Sequence, residues 1–302
     1  MPGAFGESVV MRLLNPDETR VNIKALGMSD ALLQVVEREI KKPNGLILTT
    51  GPTGSGKSTA IYSLIKEIYQ PGIKIITIEN PVEYHLDGIV QTQINKEKGY
   101  DFYDGLRSAL RQDPDVIMVG EIRDANTAKT AVQAALTGHL VFSTLHTNDA
   151  AGAIPRLIDL DTMPDTLGPA VNLILAQRLV RLVNEQHRQE IALTELDKQN
   201  LEKVFTGLDE SFWRALLDRG TKFIADPNVS DEVAYHGRTG VFEALVVDAT
   251  IEELVRAKAG VTALKAAQAA QGLPNLAQDA AIKALRGDTT FEEVSRVVSL
   301  LS

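Results

Sequence analysis

Leu46-Ile47-Leu48-Thr49-Thr50-Gly51-Pro52-Thr53-Gly54-Ser55-Gly56-Lys57-Ser58-Thr59 runs from an apolar stretch through a glycine-rich turn into a stretch with helical spacing. Residues 51–58 match G-x-x-x-x-G-K-[ST] in full, and the flanks are the ones the motif needs: a strand over Leu46–Thr49 and a helix over Ser58–Tyr69. Glycines let the backbone curl so that successive N–H groups point inward at phosphate oxygens. The N-terminus of the following helix adds partial positive charge. Lys57 can then reach the β- and γ-phosphates, and the Ser58 hydroxyl is placed to ligate Mg²⁺. The expected nucleotide-binding set is Gly51, Pro52, Thr53, Gly54, Ser55, Gly56, Lys57, Ser58 and Thr59, with ATP or ADP and Mg²⁺ as ligands.

Further apolar runs lie at Ile73–Ile78, Val116–Val119 and Leu140–Phe142, each separated from the next by helical or mixed sequence. Such alternation indicates a parallel sheet covered on both faces, hence an α/β fold. Ahead of the glycine turn, Leu32, Val36 and Ile40 recur at helical spacing, with Ser29 as cap and Pro43-Asn44-Gly45 as stop. Ser8 to Leu14 reads as one strand closed by Asn15-Pro16-Asp17. Asp115-Val116-Ile117-Met118-Val119-Gly120-Glu121 is a strand ending in a carboxylate. Ligands sit beyond the carboxyl ends of strands in open α/β sheets, so Glu121 is expected to face the nucleotide. There it can hold Mg²⁺ or polarise the attacking water. Gly120 occupies the place of the usual strand-end Asp, which leaves the metal role to Ser58 and Glu121.

Composition narrows the class. The 302 residues leave room for two domains, and 44% hydrophobic with 24% charged residues supports a sizeable core. A net charge of -9 disfavours nucleic acid, whose binders usually carry a basic face. Cysteine is absent, which removes disulfides and thiolate metal sites. No apolar run is long enough to span a membrane, and Met1–Gly6 has no signal-peptide character, so the expected compartment is the cytosol.

Several motifs in order now resemble the bacterial secretion ATPase superfamily, which powers type II secretion and type IV pilus assembly. They are the 51–58 turn, Thr77-Ile78-Glu79-Asn80-Pro81-Val82-Glu83-Tyr84, Leu110-Arg111-Gln112-Asp113-Pro114-Asp115, and Gly120-Glu121-Ile122-Arg123-Asp124. The series continues through Thr137-Gly138-His139, Ser143–Ala150, Ala176–Arg181, Tyr235–Glu243 and Gly287–Val294. The resemblance implies a RecA-like P-loop core with a smaller helical C-terminal region. It implies catalytic roles for Lys57 and Glu121, for Glu79 and Glu83 as candidates to position or deprotonate water, and for His146 as γ-phosphate sensor. It implies a homo-oligomer, most commonly a hexamer, with Arg12, Arg111 and Arg123 as trans or interface candidates. Its partners are an inner-membrane platform protein and other secretion or pilus components, which makes the chain peripheral to the inner membrane.

Three departures qualify this. Asn80 stands where the pattern has Asp, the four-cysteine zinc site is missing so that no zinc is expected, and most of the N-terminal domain is lacking. The expected division is a remnant and linker over 1–27, the core over 28–182, an insertion over 183–234 and a helical domain over 235–302. Within the insertion, Leu196 to Leu217 could hold two helices, and Trp213 is read as core. His139 and His146 could instead be ordinary strand-end histidines. The rivals are a retraction motor of the same superfamily, a nucleic-acid translocase on a RecA-like core and a scaffold that binds nucleotide without turnover. The acidic balance and the lack of aromatic–basic stretches count against the translocase.

Overall fold

The computed structural model describes residues 2–3, 6–7 and 22–300. Arg12 and the strand expected over Ser8–Leu14 lie outside them. A short antiparallel pair, β1 (Pro2–Gly3) and β2 (Gly6–Glu7), precedes the main body. The expected α1 forms over Asp30–Glu39, where the Ser29 hydroxyl accepts from Leu32 N and Leu32, Val36 and Ile40 are buried.

Seven strands form the central sheet among the described residues, in the order β11-β8-β3-β7-β6-β4-β5. They are β3 (Gly45–Thr50), β4 (Ile75–Glu79), β5 (Val90–Gln93), β6 (Val116–Val119), β7 (Leu140–Leu145), β8 (Val171–Val183) and β11 (Tyr235–Val246). All neighbours are parallel except β11, which runs antiparallel to β8. The four apolar runs read from the sequence are β3, β4, β6 and β7. Residues 235–246, assigned above to a helical domain, instead add an edge strand to this sheet. Antiparallel pairing with β8 draws them there, since Val241 and Leu245 go to one face and Phe242 and Ala244 to the other.

Period-two alternation builds two cores. Leu46, Leu48, Ile76, Ile78, Ile117 and Val119 face α3 (Phe102–Leu110), α4 (Ala125–Leu136), α5 (Ala153–Asp159) and α6 (Pro164–Ala170). Ile47, Ile75, Met118 and Phe142 face α1 and α2 (Lys57–Ile68). Helices therefore cover both faces, as parallel sheets require.

The insertion does contain two helices, α7 (Glu195–Val204) and α8 (Glu210–Leu217), beside a hairpin of β9 (Arg188–Ala192) and β10 (Thr221–Ala225). The short α9 (Asp231–Ala234) leads back to the sheet. α10 (Ala249–Arg256), α11 (Val261–Ala269), α12 (Leu276–Arg286) and α13 (Phe291–Ser295) follow. Leu193, Leu201, Val204, Phe205, Trp213, Leu216 and Leu217 pack with Ala281, Ile282 and Leu285 of α12 into a third core. Trp213 stacks on Phe205 at a ring separation of 6.1 Å. Burial at roughly 1.5–3 kcal/mol per large side chain makes this cluster comparable in size to a structural zinc site, worth about 10–16 kcal/mol. The insertion thus has an apolar means of staying folded.

Candidate functional site

β3 delivers the glycine-rich turn at the C-terminal edge of the sheet, between β7 and β8. Gly51 adopts φ 147, and a Cβ there would stand 2.5 Å from the Gln177 carbonyl. Gly56, at φ 86, starts α2 with no side-chain cap, so the first N–H groups of the helix carry no side-chain partner at that position. The Lys57 ammonium donates to the carbonyls of Gly51 (2.8 Å) and Pro52 (3.0 Å). Burial pushes it below the usual lysine range, Glu121 acts in the opposite sense, and Arg178 adds to the lowering. Ser58 is exposed at the helix start, while Ser55 Oγ is buried without a hydrogen-bond partner. A buried polar atom of that kind facing the turn suits a ligand rich in acceptors and donors.

Gly51→Ala is expected to destabilise the protein by about 1–3 kcal/mol, because the left-handed backbone is strained for alanine and the carbonyl of Gln177 cannot move aside. A denaturant midpoint equal to that of the unmutated protein would contradict this packing.

Glu121 follows β6 and is largely buried. Its Oε2 lies 2.6 Å from Arg123 Nε and 3.7 Å from His146 Nε2, which leaves the end of β7. The loop after His146 is tied to the glycine turn's strand: Thr147 N donates to Thr50 Oγ1 at 2.8 Å. Gly120 is packed between the Ile78 carbonyl and the Phe102 ring, 3.1 and 3.2 Å from where a Cβ would sit. An aspartate side chain would not fit there without movement.

Glu79 ends β4 on the same edge, but its carboxylate is buried and occupied. It accepts from Tyr62 OH, from Thr77 Oγ1 at 2.5 Å and from Gln91 Nε2 at 3.1 Å. Burial first, and then the bond to Glu79, push the Tyr62 hydroxyl above its ordinary range. Glu79 therefore clamps α2, β4 and β5 together, because Thr77 and Glu79 share a strand face turned to Tyr62. Glu83 is half-buried and lies close enough to Tyr62 to influence it.

Two expected residues lie elsewhere. Arg111 caps the C-terminus of α3, exposed, with Nη2 donating to Ser108 Oγ at 3.3 Å. That helix returns to the N-terminal edge, where Asp115 N meets the Lys74 carbonyl. His139 is also at that edge, its carbonyl accepting from Gly45 N. Both precede strands, β6 and β7, that run parallel to β3, so both stand at the edge opposite to the turn of their own chain.

Sequence reasoning assigned no role to Gln177 and Arg178. β8 pairs with β3 only as far as Ala176 and then continues to Val183 on its β11 partner. This overhang forms a wall beside the turn. Gln177 backs Gly51 and Gly56, and Arg178 donates to the carbonyls of Gln177 (3.0 Å) and Asn148 (2.7 Å). The signal was the unusual length of the strand, which only its pairing reveals.

No helix among the described residues is long and apolar enough to cross a membrane, and no group of three or more His, Cys, Asp or Glu there could hold a metal. Mg²⁺ bound with a nucleotide needs no such group, since it keeps waters and phosphate oxygens as ligands. Ser58 and Glu121 fit that mode.

The chain is 42% identical over 297 residues to the type II secretion system protein E of Aeromonas hydrophila and 44% identical to the type II secretion system ATPase E of Vibrio cholerae. Each match covers 98% of this chain and 57% of the relative. Identity to the type IV pilus assembly ATPase PilB of Thermus thermophilus is 43%, over 97% of this chain and 32% of that protein. The chain thus spans little more than half the length of its secretion relatives. Among solved structures, the pilus retraction motor PilT with bound ADP superposes with TM-score 0.66 at 30% identity, covering 95% of this chain and 69% of that one. The Legionella pneumophila ATPase DotB gives TM-score 0.65 at 25% identity, covering 92% and 65%. The family model for type II/IV secretion system proteins matches residues 1–296, and this chain belongs to that family.

Proposed function

We propose that this chain hydrolyses ATP as one subunit of a ring motor, most simply a hexamer, that drives type II secretion or type IV pilus assembly. The observation that carries the reading is Lys57, buried at the mouth of the glycine-rich turn with its ammonium on the Gly51 and Pro52 carbonyls. In this reading the amides of residues 51–59 hold the phosphates and Lys57 swings from its two carbonyls to the β- and γ-phosphates. Mg²⁺, held through Ser58 and Glu121, would neutralise charge as the terminal phosphoryl group departs. Glu121, at the end of β6, would orient the attacking water, with Glu83 as the second candidate, while Glu79 is held in its clamp. His146, within reach of Glu121, would register the γ-phosphate.

Arg123, exposed beside Glu121, and Arg111, exposed on the opposite edge, suit contacts with neighbouring subunits. An arginine from a neighbour stabilises charge on the transferred phosphoryl group. Assembly is favoured over retraction by the relatives' names, at 42–44% identity against 30% for the retraction motor. A platform protein in the inner membrane, contacted from the cytoplasmic side, would receive the motion.

Purified protein is expected to bind Mg·ADP by calorimetry and to release phosphate from Mg·ATP, with no stimulation by single-stranded DNA. Strong, salt-sensitive stimulation would favour the translocase instead, and failure to bind either nucleotide would overturn the motor reading.

A further inference from the structure

The loop that carries His146 is anchored on its far side by residues outside the phosphate site. Glu243, on β11, is only 6% exposed and accepts two backbone N–H bonds from separate elements. Its Oε1 takes Ala150 N at 2.9 Å, where the His146 loop ends, and its Oε2 takes Leu276 N at 3.2 Å, the first residue of α12. Within the same loop, Asn148 offers its carbonyl to Arg178, and Asp149 pairs with Lys265 of α11 at 2.7 Å. Arg178, Glu243, Asp149 and Lys265 line one cavity of about 660 Å³ between the loop, β8, β11 and the C-terminal helices. Burial pushes Arg178 below the usual arginine range, and the charges of Glu243 and Asp149 act in the opposite sense.

A contiguous line of contacts therefore runs from the glycine turn to α12. Arg178 Nη1 lies beside Gly51 of the turn, 3.2 Å from where a Cβ would sit, Arg178 holds Asn148, and two residues further the loop reaches Glu243, whose other oxygen holds the start of α12. Charge-assisted bonds to a buried carboxylate are short and directional, so movement at Ala150 is passed to Leu276 or breaks a bond. A buried N–H left without an acceptor is unfavourable enough that the two ends move together. Coupling between sites requires one element whose arrangement both ends bias, and Glu243, bonded to Ala150 N and Leu276 N, stands where such an element would have to be.

We propose that Glu243 and Arg178 are positioning residues for the phosphate site: they hold the His146 loop in register with the glycine-rich turn and make α12 respond to what the turn holds. This rests on the nucleotide reading above. It adds a mechanical output, because α12 also carries Ala281, Ile282 and Leu285, the floor of the insertion's core. Nucleotide occupancy would then be transmitted to the insertion and to the C-terminal helices together.

Glu243→Gln tests it. Glutamine keeps the shape but has one acceptor oxygen, so its amide NH₂ must face either Ala150 N–H or Leu276 N–H. Three quantities are measured on the full chain: steady-state kcat and KM for Mg·ATP, the binding stoichiometry of a non-hydrolysable Mg·ATP analogue, and amide exchange of the segment 273–286 with and without that analogue. The expected result is a kcat lower by about tenfold with KM and stoichiometry within about twofold. Protection of 273–286 by the analogue, present in the unmutated protein, is expected to be lost. A merely structural role would lower stoichiometry and melting temperature instead. Should Glu243→Gln fail to fold, Arg178→Gln, which removes the tie to Asn148, gives the same readings. Unchanged kcat, or analogue-dependent protection of 273–286 that survives in the variant or is missing from the unmutated protein, overturns the proposal. In each of those cases the unmutated protein still binds the analogue; if it does not, the nucleotide reading itself has failed.

Discussion

Lys57→Ala is expected to lower ATP turnover by on the order of a hundredfold or more. A cation aimed at developing charge in a water-poor site acts like an oxyanion-hole donor, and removing one such donor costs about 3 kcal/mol of transition-state stabilisation. The lysine in this chain is already prepared for the role. It is buried, its ammonium is desolvated, and two carbonyls of the turn hold it at the mouth. Bringing phosphate there replaces those carbonyls by charged partners and returns the ammonium toward its ordinary proton affinity. The substitution also removes two hydrogen bonds that draw the turn together, so nucleotide affinity should fall along with turnover. The check is phosphate release under saturating Mg·ATP, with the melting temperature as control for folding. Turnover equal to that of the unmutated protein would refute the assignment of this loop.

Glu121→Gln is expected to separate binding from chemistry. The amide keeps the shape beside Arg123 and His146 but loses the charge that a metal-side carboxylate or water-orienting base needs. Loss of a general base costs about 10²–10⁴-fold in rate. Nucleotide should still bind, because the turn, Lys57 and Ser58 are untouched, so the variant should retain Mg·ATP while releasing phosphate slowly. Calorimetry and single-turnover phosphate release measure the two effects independently. A variant that hydrolyses normally would pass the water-orienting role to Glu83, the half-buried carboxylate that follows the Glu79 clamp. One that binds no nucleotide would instead make Glu121 part of the binding surface.

The two carboxylates show where sequence reading reached its limit. Glu79 and Glu121 both end apolar strands on the same edge, and by pattern they are equivalent candidates. Tertiary contacts separate them. Tyr62 from α2, Thr77 from the same strand face and Gln91 from β5 converge on Glu79, whereas Glu121 meets Arg123 and His146. None of those partners is within four residues of Glu79 except Thr77, so no local signal could have announced the clamp. Arg111, an interface candidate by its motif, is placed at the far edge of the sheet by α3, and only the fold gives that position.

Order along the chain was legible for a simple reason. Burial on both faces forces apolar runs on parallel strands, and phosphate binding forces glycines and lysine into a fixed local spacing, so β3, the turn, α2, β4, β6 and β7 were readable from short windows. The insertion is polar and weakly periodic, so its two helices were readable only as a possibility over Leu196–Leu217, and Trp213 was read as core from its type.

What remained hidden depends on pairing between segments far apart. The overhang of β8, the recruitment of residues 235–246 to the sheet edge, the packing of the insertion on α12, and the meeting of Arg178 with Asn148 each join residues at least thirty positions apart, apart from the overhang's own extension. The sequence by itself determined the α/β class and the phosphate loop, since these are written in near-neighbour spacing. Only the tertiary structure decided which carboxylate is held by Tyr62, Thr77 and Gln91 and what backs the loop, because hydrogen-bond partners and burial are properties of the folded chain and not of any window within it.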